Sequence, residues 1–215
     1  MNKTVEIVFV IDRSGSMSGK ESDVIGGFNA MLDKQLKEET HAYVSTVMFS
    51  DDSSVLHDRL LLMDIPFMTP ETYQVGGCTA LYDAIGDAIH HIRNVHKYVR
   101  PEDKPSRTMF VIMTDGLENA SWKYDNASIR KLIEQQKEHG WDFIYIGADI
   151  DAFSLARSVG INPRRAVNFS KSKDSFGDCF EAVGKVMTFY AKSETDDLIE
   201  DDSFEDIFKI FKKQR

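Results

Sequence analysis

The chain is poor in the residues that cross-link a protein or anchor it in a membrane. Its 215 residues include two cysteines, Cys78 and Cys179, which excludes a disulfide framework and indicates a reduced, intracellular setting. No apolar run approaches the roughly 18 residues that a membrane-spanning helix needs. The first residues, MNKTVEIVFVIDRSG, lack the features of a secretory signal. We therefore expect a cytoplasmic protein that does not bind membranes.

Basic residues are also in deficit. The chain has 26 lysines and arginines against 35 acidic residues, a formal charge of −9. An acidic surface repels phosphate backbones, so nucleic acid is not expected as a partner. The hydrophobic fraction of 42% is ordinary for a globular protein and predicts a packed core.

Apolar runs alternate along the chain with stretches of helical periodicity. Strands are predicted at 5–11, 42–49, 108–114 and 141–148, and helices at 80–99, 126–139 and 173–192. Alternation of this kind predicts an α/β fold, with a mainly parallel sheet between two layers of helices. A turn at Asp51–Ser53 predicts one antiparallel edge strand, and Ser18 with Glu21 matches a capping box at the start of a helix.

The last residues change in character, which predicts a main domain at 1–193 and a separate segment at 194–215. This segment begins with the acidic run SETDDLIEDDSFEDIF and ends with the basic KIFKKQR. Phe204, Phe208 and Phe211 fall on one helical face, so a short amphipathic helix is expected after an acidic hinge. Docking on the chain's own domain and docking on another protein both stay open.

Oxygen-bearing side chains follow three of the predicted elements at one edge of the sheet. Asp12, Ser14 and Ser16 come directly after the first strand, Asp115 follows the strand at 108–114, and Thr79 precedes the helix at 80–99. Ligands of open α/β sheets bind beyond the carboxyl ends of the strands. Two carboxylates and three hydroxyls suit a hard cation such as Mg²⁺ or Mn²⁺ better than Zn²⁺.

Each of these residues also has an ordinary interpretation. Ser14 and Ser16 are common turn residues, and Thr79 could be a helix cap. Cys78, beside Thr79, is interpreted as a small buried residue. Five oxygen donors placed on three loops nevertheless favour a common site.

These motifs resemble the metal-ion-dependent adhesion site (MIDAS) of von Willebrand factor type A (vWA) domains. The resemblance covers residues 4–190 and rests on D-x-S-x-S at Asp12–Ser16, on Thr79 in GGCTALYDAI, and on Asp115 in VIMTDGLEN. It implies a three-layer α/β/α, Rossmann-like fold. It also implies that Ser14, Ser16 and Thr79 contact the metal directly or nearly so, while Asp12 and Asp115 act mostly through water.

In the family, an acidic side chain of a partner protein fills the remaining coordination position. The resemblance therefore implies a non-enzymatic binding module with Mg²⁺ or Mn²⁺ and a partner that presents Asp or Glu. Arg13, Glu118 and Asn119 are expected at the partner-binding rim. The chain is similar to small stand-alone vWA proteins of bacteria and phages, some of them associated with stress or tellurite resistance.

Two alternatives stay open. Phosphohydrolases of the haloacid dehalogenase type also place an Asp at the end of a first strand, in a D-x-D-x-[TV] motif. Ser14 stands here at the position of the second Asp, so the acid/base group is missing. The other alternative is an inert scaffold whose metal site has degenerated. Retention of all five residues of the metal-site motifs argues against it.

Overall fold

The structure, a computed structural model, describes residues 4–148, 150–169, 175–193 and 199–208. Within these residues, six strands form one sheet in the order β3-β2-β1-β4-β5-β6. The strands are Val5–Asp12, Ala42–Phe49, Ser53–Leu61, Arg107–Thr114, Trp141–Ala148 and Ala166–Phe169, numbered β1 to β6. Every neighbouring pair is parallel except β2 and β3, which are antiparallel. The predicted α/β sheet with an antiparallel edge strand is confirmed.

Helices cover both faces of the sheet. They are Glu21–Lys37, Leu81–Tyr98, Asn126–Glu138, Ala152–Ser158, Ser175–Lys192 and Asp201–Ile207, numbered α1 to α6. Among the described residues, no helix is both long and apolar enough to cross a membrane.

The central strand β1 shows how the core is divided. Ile7, Phe9 and Ile11 face the layer that contains α1 and α5, whereas Val8 and Val10 face the layer that contains α2 and α3. This alternation is the period of two that a strand imposes on its side chains. All eight residues of β1 are buried, including the charged Glu6 and Asp12, as expected of a strand in a sheet that is covered on both faces.

Helix α1 forms in the predicted region, but the capping box does not form, and the helix begins two residues later than that motif would place it. The N-cap residue is Lys20, without a side-chain cap bond, and Glu21 is the first helical residue. Farther along, α1 approaches α5 closely. An added Cβ at Gly27 would lie 3.0 Å from the Cα of Gly177, whereas one at Gly26 would meet nothing within 4 Å.

The C-terminal helix α6 packs on the chain's own domain. Phe204 and Phe208 are buried in the core layer of α1 and α5. The Arg164 Nε donates to Glu205 at 2.9 Å, and the Arg165 guanidinium lies 4.7 Å from the Phe204 ring centre. Phe211 and the predicted hinge at 194–198 lie outside the described residues.

Candidate metal site

The site begins where β1 ends. Asp12 Oδ1 accepts the amide of Ser14 at 2.7 Å, and Oδ2 accepts the hydroxyl of Thr114, at the end of β4, at 2.5 Å. The Asp12 carbonyl accepts the Tyr73 hydroxyl at 2.5 Å. Asp12 is fully buried, and its carboxylate thereby fixes the turn after β1 against the neighbouring strand.

Two further segments meet this turn. The Ser16 hydroxyl donates to Asp115 Oδ1 and lies 3.0 Å from Ser14 Oγ. An added Cβ at Gly116 would lie 3.1 Å from Thr79 Oγ1 and 3.5 Å from Ser16 Oγ, so these two oxygens border the same small space. The three loops predicted from the sequence therefore converge, with Ser14, Thr79 and Asp115 buried and Ser16 exposed.

The Thr79 loop is held from two sides. Asn119 Oδ1 accepts the Thr79 amide at 2.8 Å, and the Asn119 amide donates to the Thr79 carbonyl at 3.1 Å. On the other side, Gly77 has a φ of +80°, and an added Cβ there would overlap Asp51, so only glycine fits. Cys78, expected to be buried, is exposed.

The loop after β4, residues 116–124, is braced by two carboxylates. Glu118 accepts the amides of Tyr82, Ala120 and Ser121 at 2.7 to 2.9 Å. Asp83, in the first turn of α2, accepts the amides of Trp122, Lys123 and Tyr124 at 3.0 to 3.1 Å. This loop and the start of α2 are consequently bonded into one unit.

The three residues predicted for the rim differ in their surroundings. Arg13 is partly exposed and pairs with Asp52 at 3.3 Å. Asn119 is exposed but bonded to Thr79, and the Glu118 carboxylate is directed into its own loop. Large apolar side chains stand at the same loop instead: Trp122 is 80% exposed and Leu117 is 60% exposed.

Lys20, which the sequence analysis did not single out, also lies at the candidate site. Its Nζ donates to Asp115 Oδ2 and, at 2.9 Å, to the carbonyl of Ser16. The available signal was a lysine at the residue before a helix, where Ser, Thr, Asp or Asn is preferred.

Burial is the largest influence on the pKa of Asp12. Desolvation raises the pKa of this carboxyl above its ordinary value, and the hydrogen bonds from Thr114 and Ser14 oppose the shift. A nearby divalent cation would favour the ionised form.

The donors present fit a hard dication. The hydroxyl of Thr79 has no hydrogen bond within the described residues and borders the space next to Ser16. No group of three or more His, Cys, Asp or Glu side chains suited to a metal occurs in the described part of the chain. The serine and threonine hydroxyls would therefore be the main ligands of a cation at this edge. The carboxylates of Asp12 and Asp115 would lie farther from it.

The same geometry bears on catalysis. Both oxygens of the Asp12 carboxylate are bonded and the residue is buried, so it presents no free face to a substrate. The ammonium of Lys20, at the same edge of the sheet, is bonded to Asp115. The contacts thus suit coordination better than nucleophilic attack.

No protein-family model matches the sequence, and neither does any curated protein. Solved structures do match the fold. The vWF domain of the type V pili tip protein Mfa5 from Porphyromonas gingivalis covers 91% of this chain and 98% of its own, with a TM-score of 0.65 and 12% identity. The SpRpn10 VWA domain covers 85% of this chain and 95% of its own, with a TM-score of 0.55 and 13% identity.

A third similar structure is proximal thread matrix protein 1 of the mussel byssus, solved with a zinc-occupied MIDAS motif. It matches 87% of this chain with a TM-score of 0.59 and 14% identity, and this chain spans 46% of its length. At such identities the likeness concerns the fold alone. The chain has the von Willebrand factor type A fold.

Proposed function

We propose that the chain is a non-enzymatic, metal-dependent protein-binding module. In this proposal Ser14, Ser16 and Thr79 hold Mg²⁺ or Mn²⁺, and Asp12 and Asp115 act mostly through water. A partner protein supplies an Asp or Glu side chain to the open coordination position. The observation that carries the proposal is the convergence of Ser16, Thr79 and Asp115 beside Gly116.

The charge of the donors supports binding of an acidic partner. Neutral hydroxyls donate little charge, so the ion keeps a strong attraction for an incoming carboxylate, and this attraction is larger in a partly dry cleft than in water. Ser16 is exposed, which leaves that side of the site accessible to a large ligand.

Residues around the proposed ion would form the rest of the surface that contacts the partner. Arg13 is accessible there, whereas in the proposal Asn119 holds the Thr79 loop and Glu118 braces the loop after β4. Trp122 and Leu117 add exposed apolar area, and tryptophan is among the residues that contribute most to interfaces.

Calorimetric titration with Mg²⁺, Mn²⁺ and Zn²⁺ tests the metal site directly. Wild type should bind Mg²⁺ or Mn²⁺, and Thr79→Val, which removes one hydroxyl at nearly constant volume, should weaken binding at least about tenfold, 1.4 kcal/mol. Cys78→Ser changes the neighbouring exposed residue and should leave the affinity unchanged. Lack of uptake of either ion by wild type contradicts the proposal, whereas preference for Zn²⁺ contradicts only the identity of the ion.

Capture from extracts of the source cell tests partner binding. Wild type and Cys78→Ser should retain a common protein in Mg²⁺ and lose it in EDTA, whereas Thr79→Val should not retain it. Equal recovery by Thr79→Val would argue that binding does not use the ion.

A phosphohydrolase is the competing function. Turnover of a generic phosphate ester by wild type that disappears in Asp12→Asn would favour it over the binding module. The bonded, buried carboxylate of Asp12 argues for the opposite result.

The cellular setting stays a prediction. The proposed cytoplasmic setting rests on the small number of cysteines in the sequence, Cys78 and Cys179. The proposed association with bacterial stress systems rests on the sequence resemblance alone.

A further inference from the structure

Lys20 occupies a position that local helix energetics disfavour for a cation. It is the N-cap of α1, and positive charge is unfavourable at the N-terminal end of a helix dipole. Glu21 and Asp23, in the first turn of the same helix, have the charge that this end favours. The position of Lys20 is therefore explained by what its side chain contacts and not by α1.

Those contacts are two atoms of the proposed metal site. The ammonium donates to Asp115 Oδ2 and to the Ser16 carbonyl, while the Ser16 hydroxyl occupies Asp115 Oδ1. The Asp115 side chain is fully buried and that of Lys20 is 14% exposed. Both carboxylate oxygens of Asp115 thus accept a hydrogen bond, and one of the two donors is the positively charged ammonium of Lys20.

The lysine pair at Asp115 differs from surface pairs of the same chain. Lys37 pairs with Asp33 one helical turn away, and both side chains are largely exposed. Lys20 and Asp115 are separated by 95 residues in sequence and lie where water screens the charges less. A second cation at the same oxygen would be repelled by the ammonium at short range unless this charge-assisted hydrogen bond were broken.

We propose that the Lys20 ammonium is an intramolecular competitor of the metal ion at Asp115. The inference rests on the proposed function, because it assumes that the ion binds at Ser16 and Thr79 and uses, directly or through a water, the Asp115 oxygen that the ammonium holds. Uptake of the ion displaces the ammonium from Asp115 into solvent. Lys20 thereby lowers the affinity for the ion by roughly tenfold to a hundredfold, the cost of one hydrogen bond to a charged group.

Calorimetry of three variants tests the competition. Lys20→Met keeps an unbranched side chain without charge and should bind Mg²⁺ or Mn²⁺ roughly tenfold to a hundredfold more tightly than wild type. Lys20→Arg keeps the charge and should stay near wild type. Lys37→Met removes a surface lysine of the same helix and should change nothing.

The outcomes separate the two proposals. If wild type binds neither ion, the proposed function fails and the competition fails with it. If wild type binds the ion and Lys20→Met binds it equally or more weakly, only the competition fails.

Amine modification of the wild-type protein tests the displacement itself without relying on a variant. Acetylation by an N-hydroxysuccinimide ester, located by mass spectrometry, should be slow at Lys20 in EDTA and several-fold faster with saturating Mg²⁺. Lys131 is exposed and serves as an internal standard that should react equally in both conditions. Equal modification of Lys20 with and without the ion would show that the ammonium stays in place, and would overturn the proposal.

Discussion

His57 is a buried residue whose two ring nitrogens both have partners. Nδ1 lies 3.0 Å from the hydroxyl of Thr46 in β2, and Nε2 lies 3.1 Å from the carbonyl of Pro66. The ring stacks on Phe28 of α1, with 6.1 Å between ring centres. This one side chain in β3 thus joins the edge of the sheet to α1 and to the following loop.

The histidine should make stability depend on pH. Burial lowers the pKa of His57 below its ordinary value of 6.5, and the bond to the Pro66 carbonyl opposes this shift. Above pH 6.5 the ring is neutral in both the folded and the unfolded chain, so the buried neutral ring contributes fully to the free energy of unfolding. As the pH falls below 6.5 toward the lowered pKa, the unfolded chain binds the proton first. The free energy of unfolding should therefore decrease, by at most about 1.4 kcal/mol per pH unit.

Urea denaturation at a series of pH values from 7.5 to 5 measures this dependence. His57→Gln has no titrating ring, and its curve should be flatter than that of wild type. His41→Gln, at an exposed position, should keep the wild-type slope. Identical slopes for His57→Gln and wild type would exclude His57 as the source.

At the scale of elements, the close contact between α1 and α5 depends on the second of two adjacent glycines. Gly27 faces Gly177 and the ring of Phe180, whereas Gly26 faces solvent. Both glycines lie in the same helix. A comparison of the same substitution at the two positions therefore distinguishes the effect of close packing from that of helix propensity.

Alanine substitutions at these positions should have opposite effects. Gly27→Ala would place its Cβ 3.0 Å from the Gly177 backbone and should cost about 1 to 3 kcal/mol of stability. Gly26→Ala should raise stability by about 0.5 to 1 kcal/mol, since alanine is the better helix former. Chemical denaturation measures both, and stabilisation by Gly27→Ala would contradict the close packing.

Much of this element structure could be predicted from the sequence, because periodicity is a local signal. The helix predicted at 80–99 is Leu81–Tyr98, and the strand predicted at 108–114 is Arg107–Thr114. The placement of Asp12, Thr79 and Asp115 on one edge follows from the polarity of parallel strands.

The contacts that local patterns do not encode were missed. Lys20 bonds to a residue 95 positions away, and Glu118 accepts the amide of Tyr82, 36 positions away. The Ser18–Glu21 pattern matched a capping box, yet the helix begins with Lys20 as its cap. At Lys20 a tertiary contact outweighed the local N-cap preference of about 1 kcal/mol.

At the scale of the whole molecule, α6 joins the C-terminal segment to the main domain. Asn162 donates to Asp201 at 3.0 Å, and Arg165 pairs with Asp201 at 3.1 Å. Arg164 pairs with Asp202 and Glu205. The acidic residues that sequence reasoning treated as a separate segment thus meet basic residues that precede β6.

Removal of the largest buried side chain of α6 should destabilise the entire fold. Phe204 is 1% exposed, so Phe204→Ala should cost about 3 to 5 kcal/mol. For a chain of this size this corresponds to a fall in melting temperature of roughly 10 °C. Phe189→Ala, at a position 42% exposed, should lower the melting temperature much less. Equal effects of the two substitutions would contradict docking of α6 on the domain.

The two carboxylates that brace residues 116–124 also have a kinetic consequence. Glu118 and Asp83 each hold three amides, and these amides come from both the loop and the first turn of α2. Rotation of either carboxylate would release its three amides together. The amides of each trio should accordingly share one protection factor in exchange with deuterated water, although they lie at the surface, where independent exchange is the usual behaviour.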